Sequence, residues 1–251
     1  MKERGQVTIF IIIALVIVGV VLLFFVARGN LSTNDIPASF EPAYNNLQSC
    51  FEEVSNEGAY AITLQGGYYN VPTDSSVVYF TEEVPYYYLD SKNYVPELET
   101  IEEELGDYIS KNLDDCLDLE DFDKQGFEID KGKSRISTKI NERNIEIKIV
   151  SPITIRKGED SIELKDIKLE LDYDIKNLYL ASKEIVEDYS KKPGVVCLTC
   201  LEKLSQENNV AIEAIPMEEI IEGDKNVLWF LITNKEDTSE DKLTWRFVVE
   251  Q

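Results

Sequence analysis

Val7–Ala27 reads VTIFIIIALVIVGVVLLFFVA, 21 residues without a charged side chain. As a helix rising ~1.5 Å per residue it would be about 30 Å long, matching the hydrocarbon core of a bilayer. Ile and Val dominate the run, yet lipid offers no partner to an unpaired backbone group, so helix is expected over strand. Lys2 and Arg4 precede it and Arg28 follows, after which no basic residue comes before Lys92. The positive-inside rule then predicts residues 1–6 in the cytoplasm, a single transmembrane helix over 7–27, and the C-terminal domain outside the cell. A cleaved secretory leader is the competing reading, with a shorter apolar core and a small-x-small site after it. Here the run ends in Leu22-Leu23-Phe24-Phe25 and no such site follows. An anchor is therefore expected.

Working outward, residues 28–42 form a polar linker containing Gly29, Asn30, Asp35 and Pro37. Residues 43–251 are long enough to fold as one large domain or two small ones, with a subdomain boundary near 124 where helical patterns give way to strands. The chain carries 48 acidic and 25 basic residues, a net charge of −23. That excludes nucleic acid, whose binding relies on Lys and Arg at phosphates, and it opposes docking on anionic lipid. There is no histidine. His-based triads, His zinc sites and the usual proton shuttle are thereby removed.

The outer domain reads as α+β, antiparallel strands packed on three main helices. Leu47, Cys50, Phe51, Val54, Gly58 and Ala61 recur at steps of three and four, one helix ending before Gly66-Gly67. Leu98, Ile101, Leu105, Tyr108, Ile109, Leu113 and Cys116 make the stripe of a second helix after Pro96. Asp174 caps a third, with Ile175, Leu178, Tyr179, Ser182, Ile185, Val186 and Tyr189 inward. Between the second and third the period falls to two. Residues 136–140 and 145–149 form one hairpin, 153–155 and 162–164 a second, and 167–173 a further strand. Strands over 210–215, 227–233 and 243–249 close the pattern.

Candidate functional residues are few. Four cysteines permit three disulfide pairings, and the helix stripes favour Cys50–Cys116 with Cys197–Cys200. Seven of the thirteen tyrosines fall within a Tyr-rich hairpin over 66–95. Tyr68, Tyr69, Tyr86, Tyr87 and Tyr88 are its candidate recognition surface, against the plainer reading that the rings cover the first helix. Glu97, Glu99, Glu102, Glu103 and Glu104 crowd the start of the second helix, where the dipole favours negative charge; they read as a solvated face. Asp121-Phe-Asp123-Lys-Gln125-Gly126 resembles the opening of a calcium loop, but Gly132 stands where the bidentate Glu belongs, so a plain connector is expected. No metal and no cofactor is expected.

Lys2-Glu-Arg-Gly5-Gln6-Val-Thr8, followed by the apolar run, resembles the class III signal segment of archaeal type IV pilin-like proteins. The resemblance covers about 25 residues. It implies cleavage between Gly5 and Gln6, with the apolar helix kept on the mature protein. Phe10 stands where that family usually carries an acid. The remainder, including Leu64-Gln-Gly-Gly67-Tyr68, is similar to uncharacterised archaeal membrane-anchored proteins. The function expected from these features is non-enzymatic: a membrane-anchored cell-surface protein in a structural or pilus-like assembly, with a protein partner there. The alternatives are a ligand- or partner-binding module using the Tyr-rich hairpin, and a thiol-disulfide oxidoreductase at Cys197/Cys200. A C-x-x-C at a helix start favours a thiolate, although Leu198-Thr199 replaces the Gly/Pro-containing dipeptides common in thioredoxin-like sites. Exposure of Cys197 discriminates these readings, because reactive thiols are accessible.

Overall fold

The computed structural model describes residues 36–79, 82–116, 119–217, 227–237 and 242–250. Pro42–Gln251 is a compact folded unit. Its first half contains α1 (Glu41–Leu64), β1 (Ser76–Tyr79), β2 (Glu82–Leu89), β3 (Lys92–Asn93), α2 (Leu98–Cys116) and α3 (Leu119–Lys124). There follow β4 (Glu128–Lys131), β5 (Arg135–Ile140), β6 (Ile145–Lys157), β7 (Asp160–Leu171), α4 (Ile175–Lys191), α5 (Leu198–Glu207), β8 (Val210–Met217), β9 (Val227–Asn234) and β10 (Thr244–Glu250).

The fold is α+β, but the expected fold class needs correction. The described residues hold five helices and two sheets, and no described helix is long and apolar enough to cross a membrane. The longest, α1, runs unbroken and carries Glu41, Glu52, Glu53 and Glu57 along its length. The transmembrane helix expected over Val7–Ala27 lies outside the described residues, as do the Gly5-Gln6 processing site and most of the 28–42 linker. Nor are the strands purely antiparallel: β10 runs parallel to β2.

α1 and α2 pack on each other. Gly58 allows their close approach, since a Cβ there would stand 2.9 Å from the Tyr108 ring and 3.0 Å from Leu105. α1 ends in a Schellman motif, Gly67 N–H donating to the Ile62 carbonyl at 2.6 Å and Gly66 N–H to Thr63 at 3.2 Å. Gly66 sits at φ +56, where a side chain would be strained and its Cβ would meet the Arg246 carbonyl at 2.6 Å.

The smaller sheet is organised on β6. One edge of β6 pairs with β7 along its length; the other pairs with β5 over Ile145–Val150 and with β4 over Ile153–Arg156. A bulge at Ser151-Pro152 shifts the β6–β7 register by one residue. The buried set of β7 consequently moves from Ile167, Leu169 and Leu171 to Leu164. That phase change is why a period-two reading finds two strands where one runs.

The larger sheet has the order β1-β2-β10-β9-β8, with β3 on β2. Tyr87, Phe247 and Phe230 stack on one face at ring separations of 4.5 and 5.1 Å. α4 covers that face, Tyr179 meeting Trp245 and Tyr189 meeting Tyr88 edge-on. Val84, Tyr86, Leu89, Trp229 and Val248 form a cluster on the opposite face. Trp245, Tyr87 and Phe247 are fully buried, each worth roughly 1.5–3 kcal/mol of apolar burial.

Candidate functional site

The structure joins Cys50 to Cys116 and Cys197 to Cys200, with Cα separations of 5.6 and 5.2 Å. The two bonds sit in unlike places. Cys50 lies on the buried stripe of α1, and its bond reaches Cys116 in the last turn of α2. Cys197 is exposed and Cys200 half-buried.

Lys191-Lys192-Pro193-Gly194 ends α4, and Gly194 at φ +80 turns the chain back. Its N–H donates to the Tyr189 hydroxyl at 3.0 Å, while that hydroxyl donates to the Glu250 carbonyl at 2.8 Å. Residues 194–197 are thereby held at the start of α5. Cys197 occupies the N-cap of this ten-residue helix, and its Sγ accepts from the Cys200 N–H at 3.3 Å. The Thr199 hydroxyl lies 3.5 Å from the same sulfur. Val195 and Leu198 beside it are 59% and 74% exposed, far above the usual burial of such side chains.

The tyrosines behave otherwise. Tyr86, Tyr87 and Tyr88 are 6%, 0% and 7% exposed, so they belong to the core and present no free surface. A bulge where β2 meets β10 is the physical reason: the register steps from Val248↔Tyr86 to Val249↔Tyr88. Tyr87 and Tyr88 then both face the helices, while Tyr86 and Leu89 face away. The Tyr87 hydroxyl donates to the Gly66 carbonyl at 2.7 Å and accepts from the Trp245 Nε1–H at 3.1 Å. Burial holds this phenol protonated far above its usual range. Tyr68 and Tyr69 are half-buried and engaged internally. Tyr68 donates to the Tyr94 carbonyl, and its phenol is pushed up to about 12 by burial and then by the nearby Glu104 carboxylate. The Tyr69 ring packs edge-on against Tyr108 with Lys111 over its face.

Two glutamates of α2 do more than face water. Glu104 accepts from the N–H groups of Tyr69 and Asn70 at 2.8 and 2.9 Å. Glu102, 9% exposed, accepts from the Ile140 N–H at 2.8 Å and pairs with Lys139. Its carbonyl takes the Thr138 hydroxyl, fastening α2 to β5. Sequence reasoning missed both roles, because five glutamates crowd the same turns and spacing alone does not rank them. Among the described residues no cluster of acidic or thiol side chains could hold a metal ion.

One open cleft of about 1090 Å³ lies beside α4, its lining including Tyr60, Arg143, Tyr173, Lys176 and Asp237. Tyr60 and Tyr173 meet edge-on there at 6.2 Å. No protein-family model, curated protein or solved structure matches the chain.

Proposed function

We propose that this chain is a cell-surface protein with a structural or assembly role, its folded unit outside the cytoplasm. The carrying observation is the Cys50–Cys116 disulfide inside the α1–α2 pair. Such bonds persist in oxidising compartments and are rare where glutathione keeps thiols reduced. Membrane attachment through the apolar stretch Val7–Ala27 accounts for its 21 uncharged residues. The resemblance of the N-terminus to class III signal segments supports removal of Met1–Gly5 and membership of a pilus-like assembly. β8, an eight-residue strand at the end of its sheet among the described residues, is the kind of edge that pairs with another chain. The acidic surface steers such a partner to be neutral or basic.

A second reading, binding of a ligand or partner, is favoured by the open cleft with its Tyr60–Tyr173 pair and mixed charges. The test is protease shaving of intact cells expressing the full chain, followed by cross-linking of the unshaved membranes. External protease should remove the folded unit, and cross-linking should capture it in a discrete larger species. A protected domain would overturn the location, and a chain that stays monomeric would overturn the assembly role.

A further inference from the structure

We propose that Cys197–Cys200 is an exchangeable disulfide that oxidises the dithiols of other polypeptides. Three observations converge on it. Cys197 is an exposed residue, so an incoming thiolate can approach its disulfide from solvent. The Cys200 N–H, the Thr199 hydroxyl and the start of α5 surround the Cys197 sulfur with positive dipole, which favours it as a thiolate. Val195 and Leu198 flank it as exposed apolar side chains, a contact surface for a polypeptide rather than for a small polar thiol.

The exchange balances with a polypeptide dithiol as the reductant. A client thiolate attacks Cys197 Sγ, forming a client–Cys197 disulfide; the Cys197–Cys200 bond breaks and Cys200 leaves as a thiolate that takes up a proton. The client's second thiolate then attacks the client sulfur of that mixed disulfide. Cys197 leaves as the stabilised thiolate, and the client closes its own disulfide. Two electrons pass from the client to the Cys197/Cys200 pair, and the two client protons are released to water or taken up by it. A low-molecular-weight disulfide, running the same steps in reverse, restores the starting form. This reaction is separate from the assembly role, and its failure would leave that reading untouched.

The experiment uses the purified full chain in detergent and a synthetic peptide bearing two cysteine thiols. Alkylation and peptide mapping follow which pair opens, and mass follows the peptide. New thiols should appear at Cys197 and Cys200 at least about tenfold faster than at Cys50 and Cys116, with one peptide disulfide formed per pair opened. Leu198→Asp should slow oxidation of the peptide by a larger factor than reaction with dithiothreitol, which feels the new charge alone. A peptide that stays reduced, a mixed disulfide that accumulates without resolving, or thiols appearing first at Cys50 and Cys116 would each overturn the exchange. Equal slowing of both reductants by Leu198→Asp, or slowing of neither, would overturn the polypeptide as substrate class.

Discussion

The two disulfides of this chain share a chemistry and differ in nearly everything else. Cys50–Cys116 links residues 66 apart, within a helix pair whose other contacts are Gly58, Leu105 and Tyr108. On the chain-entropy model a closed loop of that length contributes about 4 kcal/mol. Cys197–Cys200 links residues three apart at the N-cap of α5 and closes almost no loop. Its bond constrains the unfolded chain little, so its worth is local and chemical. Burial and loop length, rather than the bond itself, divide a staple from a reactive pair.

Cys50→Ser should break the contrast most visibly. We expect a loss of about 2–5 kcal/mol, read as a lower urea midpoint with a steeper slope, because the uncrosslinked denatured chain exposes more surface. A neutral result would make both disulfides equally dispensable. Tyr87→Phe asks whether polar anchoring rivals the covalent staple. It strips the Gly66 carbonyl and Trp245 Nε1–H of their buried partner, and should cost about 1–3 kcal/mol by the same measurement. Cys200→Ser should shift the midpoint least, by under about 1 kcal/mol. A larger loss there would mean that the exposed pair also holds the fold.

The helices were legible because their buried stripes are long and regular. The inner residues of α4, Ile175 to Tyr189, are buried at the positions their spacing indicates. Cys50 shares such a spacing, so its place inside the helix pair was legible too. What the period could not carry was a change of phase. Bulges at Ser151-Pro152 and in β2 each flip the inward side, which split β7 into two expected strands and sets Tyr87 and Tyr88 on one face where alternation would part them. β2 runs through Pro85, which a strand tolerates there because the β10 pairing begins only at Tyr86. The parallel β2–β10 pairing left no local mark at all. The exposure of Cys197 depends on the turn at Gly194 and its anchor on Tyr189, contacts that no spacing encodes.

That β2–β10 pairing also sets a timetable. Strand β10 lies between β2 and β9, and it brings Trp245, Phe247 and Val249 into the centre of the sheet. A ribosome that has made only the first two hundred residues or so has produced Tyr86, Tyr87 and Tyr88 without the central strand they lie beside. The smaller sheet, built from neighbours in sequence, can close early; the larger must wait for residues 244–250. Until residues 244–250 are in place the aromatic face of the larger sheet has no central strand to pack on, and its rings stay open to capture by other chains.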